Sequence, residues 1–437
     1  MRRNDLRSPG TSPGAHGEGI RLDSCEDGAE LTALGPATAL FSENLKDPYP
    51  VYNELRELDG GVHWVPELNG FLATRYEDVR RLGSDVETFS NDFFFESAAG
   101  HHDPSSAVER SFVDVNQKCL IFTDPPVHTR LRTVLRGGFT PKALQSWRPM
   151  VERITDELFA RFEPGQQVEV MEEIARDVPL AVISAMLGVP PEDHSKFGAW
   201  SVAYTSTFDP VVEGARRRDA IAKSSELVDY LAALVAKRRR NPQNDLTSVL
   251  ATTRTSDDTV LDDAELLAQL TILLVAGNET TTSLIAAGIS ALLAYPHARA
   301  EFQNEPQAVM TTMIEEMLRF DPPLHATQRK AATATQLGGV DIEPGTMIYP
   351  VIGAANRDPR EYDSPDEFDI RRARNRHLSF FHGVHFCVGA PLARLEADVV
   401  FDRLNASFPD FTEGETPQVR SSGNFVVRGW ERLPVTL

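Results

Sequence analysis

Apolar residues recur at helical spacing over most of the chain beyond residue 76. The spacing predicts helices over residues 77–82, 126–137, 141–162, 178–187, 193–204, 211–240 and 306–320, and another from Cys387 to about residue 408. Three stretches alternate instead. Residues 62–74 (VHWVPELNGFLAT) set β-branched and aromatic side chains around a Glu-Leu-Asn-Gly turn and predict a β-hairpin. Residues 331–350, with Gly-Gly and Pro-Gly turns, predict a small sheet, and residues 425–435 predict short strands. Residues 356–377 are polar and irregular. Residues 262–295 stand apart. They predict one helix far longer than the globular mean of about 12 residues. Asp262, Asp263 and Glu265 suit its N-terminus, and Pro296 stops it. It is apolar nearly all round, so it is expected to run through the core.

Residues 1–35 are rich in Gly, Ser, Pro and charge and predict a mobile tail. No internal repeat or Gly/Ser linker follows. The expected architecture is therefore mainly α with small β-sheets (α+β), a single large domain over residues 36–437 built around the long helix. At 41% hydrophobic and 25% charged, the composition is that of an ordinary globular chain. Lys and Arg number 44 against 64 Asp and Glu, a net charge of −20. Such a field repels nucleic acid and anionic membrane, and neither is expected as a partner. No uninterrupted apolar run of about 18 residues predicts a membrane span, and MRRNDLRSPG lacks the apolar core of a secretory signal. Cys25, Cys119 and Cys387 have no disulfide-framework or zinc-like spacing, which fits a reducing cytoplasm.

Three segments carry candidate chemistry. The first is Ala276-Gly277-Asn278-Glu279-Thr280-Thr281-Thr282, a carboxylate and three hydroxyls amid an apolar helix. Threonine hydroxyls compete for backbone carbonyls, so a local bulge offering a ligand site and a proton path is one reading. A hydrogen-bonded helix face with Glu279 reaching solvent fits equally well. The second is Glu316-Met-Leu-Arg319, whose i and i+3 side chains share a face and can pair. Solvated surface pairs have the same spacing, though the flanking residues here are apolar. The third runs from Phe380 to Gly389 (FFHGVHFCVG), a cysteine among aromatic residues and glycines at the start of a helix. Backbone N–H groups there stabilise a thiolate. A single thiolate fits an axial heme ligand better than zinc, and an inert buried thiol is the bland alternative.

Taken in order, these segments resemble the cytochrome P450 family of heme-thiolate monooxygenases. Phe380, Gly383, Cys387 and Gly389 match its cysteine loop, residues 276–281 its oxygen-activating helix motif, and Glu316–Arg319 its Glu-x-x-Arg pair. Residues 124–132 (DPPVHTRLR) resemble its propionate-binding helix. Arg329 falls at a second propionate-binding position, and Asn356-Arg-Asp-Pro359 is typical of soluble bacterial members. The resemblance spans about residues 40–437. It departs at Phe381, where many relatives have glycine, so the loop backbone there is expected to differ.

The resemblance implies heme b with Cys387 as axial ligand to the iron and Phe380 packed beside it. It implies propionate binding by His128, Arg132, Arg329 and His385, with Gly389 and Ala276 also at the cofactor. Glu279 and Thr280 become an acid–alcohol pair delivering protons during activation of O2, the co-substrate. Asn278 receives no role. No flavin or iron–sulfur motif is present in the chain, so electrons are expected from a ferredoxin and an NAD(P)H-dependent ferredoxin reductase. Arg130, Arg136, Arg148 and Arg394 are candidates for the docking face. Ile272, Ala276, Leu324, Val426 and Val427 are expected to line an apolar substrate pocket. Residues 91–118, including Phe93–Phe95, His101 and His102, are expected to form a lid, and residues 197–208 another wall. The implied reaction is hydroxylation or epoxidation of a small organic molecule such as a secondary-metabolite intermediate. Alternatives are a peroxide-driven peroxygenase, nitration or phenol coupling on the same scaffold, and a non-catalytic heme or ligand carrier.

Overall fold

The computed structural model describes residue 40 and residues 46–94, 106–208, 212, 214–254, 259–421 and 425–437. The expected tail over residues 1–35 lies outside these, as do Phe95, His101 and His102. The architecture is mainly α with small sheets, as the patterning predicts. The chain enters through α1 (Tyr49–Glu57), the hairpin β1 (Val62–Val65) and β2 (Gly70–Ala73), then α2 (Tyr76–Ser84) and β3 (Phe89–Ser90). The helical middle comprises α3 (Ala107–Asn116), α4 (Val127–Arg136), α5 (Pro141–Phe159), the short strand β4 (Gln167–Glu169), α6 (Asp177–Leu187), α7 (His194–Ser206), α8 (Gly214–Arg240) and α9 (Leu246–Thr252).

The long helix α10 (Asp263–Ala294) packs against α6, α7 and α8. Asp262 caps it reciprocally with Glu265: Glu265 N–H donates to the Asp262 carboxylate at 2.7 Å, and Asp262 N–H to Glu265 at 3.1 Å. By length and mean hydropathy (1.3) α10 could cross a bilayer, but 72% of its most apolar window is buried inside the fold. No bulge opens near Gly277, and α10 is helical throughout. Thr280 does compete for a carbonyl, donating to Ala276 O at 2.6 Å, but the helix absorbs that bond. Pro296 ends α10 and opens α11 (Pro296–Asn304), which leads to α12 (Pro306–Phe320).

Strands β5 (Arg329–Ala331), β6 (Thr335–Leu337), β7 (Val340–Ile342) and β8 (Met347–Pro350) follow. β6 and β7 form a local hairpin, and β5 pairs antiparallel with β8 around it. β8 also pairs in parallel with β2, giving a five-stranded sheet of order β1-β2-β8-β5-β3. Next come α13 (Ile352–Ala355), α14 (Ala390–Ser407) and the terminal strands β9 (Thr412–Glu413), β10 (Val419–Arg420), β11 (Trp430–Arg432) and β12 (Pro434–Thr436).

The coil between α13 and α14 has almost no regular structure and must still deliver the cysteine loop. Glu316 and Arg319 on α12, both fully buried, organise it. They pair through two bonds, Arg319 Nε to Oε2 at 2.7 Å and Nη2 to Oε1 at 2.8 Å. The guanidinium also donates to the carbonyls of Asn356, Pro365 and Glu367. Glu316 accepts from Asp369 N–H, Arg372 and Asn375. Asn356 passes the order on, accepting from Leu378 N–H at 2.7 Å and donating to Ser379 Oγ at 2.8 Å. Breaking such a pair leaves a buried charge uncompensated. Arg319→Lys keeps the charge but loses the fork and strands buried carbonyls of the coil, and is expected to cost about 2–4 kcal/mol of stability, read from denaturant midpoints.

Glu396 on α14 is buried, and its Oε2 lacks a hydrogen-bond partner among the described residues. Burial pushes its carboxyl up to about 8. The folded protein therefore holds a proton that the unfolded chain releases above about 4.5, so this group withdraws stability as pH rises from roughly 5 to 8. Glu396→Gln is expected to remove that slope, on the order of 1 kcal/mol per pH unit, in melting curves taken across the window.

Candidate active site

The cysteine loop is shaped by backbone contact. Gly383 has φ +73°, and a Cβ there would lie 2.0 Å from the carbonyl oxygen of Gly83 at the end of α2. Only glycine lets the loop rest on that helix end. A single tight turn, Gly383–His385, follows, and Cys387 N–H donates to Phe380 O at 2.9 Å. α14 begins three residues after the cysteine. Cys387 is surrounded by protein yet its residue surface is accessible, so it lines an internal cleft. Burial pushes the thiol up, while the N–H groups of Gly389 and Ala390 and the charges of Arg132 and Arg394 pull it down. Phe380 is buried beside it, its ring 6.2 Å from that of Phe386 and 4.5 Å from the Arg394 guanidinium carbon.

The structure brings the four basic residues named from sequence to this loop. The rings of His128 (α4) and His385 lie 4.1 Å apart. Both ring nitrogens of His128 and Nε2 of His385 are buried with no hydrogen-bond partner among the described residues. Burial pushes His128 down to about 4 and His385 to about 2, with Arg132 and Arg329 adding to both shifts. Arg132 donates to Phe386 O. Arg329, on β5, is buried with no carboxylate within ion-pair distance among the described residues, and burial pushes it down to about 9. Buried donors and cations without counter-charges are costly unless an anionic group satisfies them. Two propionates beside an accessible thiol meet that requirement, so these residues fit heme.

Ile272, Ala276 and Thr280 lie one turn apart on α10. Ala276 is exposed and the other two half-buried, an accessible stripe on an otherwise buried helix. Glu279 and Thr280 do not bond each other. Thr280 turns to its own helix, and Glu279 turns towards α7, accepting from Ser201 Oγ at 3.4 Å and Asn278 Nδ2 at 3.3 Å. Burial raises the proton affinity of Glu279, opposed by Arg176 and Ser201. Asn278, given no role from sequence, thus touches the acid. Ser201 was invisible to sequence reasoning because only the packing of α7 on α10 creates the contact. Leu324 and Val427 form a β-bridge, and His325 N–H donates to Val426 O at 2.8 Å, which joins these two segments.

Of the segment expected to form a lid, Phe93 and Phe94 are buried, their rings 5.3 and 4.9 Å from that of Phe122. Three of the four docking arginines are committed to ion pairs: Arg130 with Glu265, Arg148 with Asp398 and Glu152, and Arg394 with Glu315 at 2.6 Å.

The Cytochrome P450 family model matches residues 91–418. The chain is 37% identical to 6-deoxyerythronolide B hydroxylase of Saccharopolyspora erythraea, covering 90% of this chain and 96% of that one. It is 35% identical to cytochrome P450 monooxygenase PikC of Streptomyces venezuelae, covering 91% and 92%. The crystal structure of P450BioI in complex with a hexadec-9Z-enoic acid-ligated acyl carrier protein superposes with a TM-score of 0.82 at 30% identity, covering 90% of this chain and 99% of that one. The chain belongs to the cytochrome P450 family. It is a monooxygenase of the bacterial type, with heme iron as its cofactor and O2 as co-substrate.

Proposed function

We propose that residues from about 40 onward form one heme domain that hydroxylates or epoxidises an apolar organic substrate in the cytoplasm. Electrons come from an external ferredoxin and an NAD(P)H-dependent reductase. The observation that carries this reading is the accessible thiol of Cys387 beside partnerless buried nitrogens of His128 and His385. Cys387 would hold the iron. His128, Arg132, Arg329 and His385 would hold the propionates through charge-assisted bonds. Phe380 and Gly389 would border the thiolate, and Ala276 would face the other side. When bound, the heme supplies the chemistry that inserts one oxygen atom into carbon.

The chain's own residues supply protons and exclude water. Glu279, whose proton affinity burial raises, keeps its proton to higher pH than a free carboxylate, which suits a relay. Thr280 is partly accessible, and its hydroxyl would have to leave Ala276 O to serve a ligand. Ile272, Ala276, Leu324, Val426 and Val427 offer apolar walls, so the substrate presents apolar carbon. Relatives named for polyketide oxidation, such as the polyketide biosynthesis P450 PksS, support a secondary-metabolite intermediate as its class.

The dithionite-reduced, carbon monoxide-treated protein is expected to show the strongly red-shifted Soret band of thiolate ligation, and Cys387→Ser to lose it. An unchanged band in the variant would remove Cys387 as ligand. Thr280→Ala is expected to keep consuming NAD(P)H while product falls about 100-fold and hydrogen peroxide rises. Unchanged coupling would favour the peroxide-driven reading, and heme binding without ferredoxin-supported reduction the carrier.

A further inference from the structure

Phe381 follows Phe380 in the cysteine loop, at the position where glycine is common in the resembled pattern. Its backbone nevertheless takes the left-handed conformation, φ +57°. The other described non-glycine residues at positive φ are Asp59, Asn69 and Ser364, small polar types that tolerate or locally compensate it. A bulky aromatic residue there is strained, and the strain persists only because surrounding structure holds it. The loop has therefore kept a glycine's backbone while carrying a ring.

That ring is buried with Tyr76, Val79, Ile352 and Leu378, which ties the loop to α2 and α13. Its face meets Arg329, whose guanidinium carbon lies 4.4 Å from the ring centroid. Arg329 is otherwise held by carbonyls alone, Nε by Leu82 O at 3.1 Å and Nη1 by Gln328 O at 2.6 Å. Among the described residues nothing accepts from Nη2. A carboxylate in the place of the ring would fix the guanidinium but cancel its charge. An aromatic face fixes it without a contact ion pair, and the one carboxylate it senses, Asp124, stands beyond ion-pair distance. The charge is felt at the neighbouring cradle, where Arg329 contributes to depressing both His128 and His385.

We propose that Phe381 is a positioning residue: its ring clamps Arg329 as a fixed, uncancelled cation for a heme propionate. The proposal rests on the reading of Arg329 as a propionate partner. A fixed cation holds the dianionic heme more tightly and favours the reduced state, which carries one more negative charge.

The test uses purified ferric holoprotein and four variants: Phe381→Leu, Phe381→Gly, Arg329→Gln and Phe381→Leu/Arg329→Gln. Heme loss is followed by transfer to excess apomyoglobin, and the reduction potential by spectroelectrochemistry. Phe381→Leu keeps bulk without an aromatic face; Phe381→Gly also relieves the backbone and covers the case in which leucine does not fold. Phe381→Leu, Phe381→Gly and Arg329→Gln are each expected to lose heme about 10-fold faster, with a more negative potential. The double variant is expected to lose heme no faster than Arg329→Gln alone. If Arg329→Gln is impaired while both Phe381 variants match the parent, the clamp is wrong and the arginine's role stands. If the double variant shows the product of the single effects, Phe381 acts by packing alone and the clamp is equally wrong. If Arg329→Gln itself matches the parent, the propionate reading fails and the clamp falls with it.

Discussion

The ion pair between Glu316 and Arg319 is the constraint on which the site depends. The catalytic half of the molecule contains a long coil with few helices or strands to satisfy its own backbone. Its carbonyls converge on one guanidinium and its donors on one carboxylate. The pair is fully buried, so water cannot substitute for either partner. The coil's path follows from bonds of fixed direction, and Asn356 then relays that order to Leu378 and Ser379, at the threshold of the cysteine loop.

A second physical theme is charge placed against the prevailing field. The chain carries −20 overall, yet Arg132, Arg329 and two histidines crowd one cleft with no carboxylate within ion-pair distance of Arg329. Several other arginines are neutralised by acids, as Arg130, Arg148 and Arg394 are. The contrast separates two uses of one residue type. Paired arginines fasten elements together, and unpaired ones reserve their charge for a ligand. The net acidity gives no hint of the second kind.

Long, strongly periodic elements were legible in the sequence: α5, α8, α10, α12 and α14 fall where the apolar spacing places them. So was the candidate site, because its chemistry lies in short contiguous motifs around Cys387, Glu279 and His128. Less legible were β3, β4, β9 and β10, strands of only two or three residues, with the partners of β3 and β4 more than 200 residues away. The Glu316–Arg319 spacing suits a surface pair equally well, and only tertiary packing decides its burial. Ser201 reaches Glu279 across a gap of 78 residues, with nothing local to mark it. Phe381 was legible as a departure in sequence. The loop keeps the left-handed turn, and the arginine beneath the ring was not foreseen.

The parallel pairing of β2 with β8 has a consequence for synthesis. The sheet that opens the described chain stays incomplete until the C-terminal half arrives: Tyr349 bonds Leu68 across 281 residues. At about 5–20 residues per second, the hairpin waits roughly 15–55 s on the ribosome before its neighbour emerges. During that wait β2 presents an open edge, the kind that templates intermolecular pairing. The protein's most exposed moment in the cell is therefore its own translation, and the fold cannot be divided into halves that mature independently.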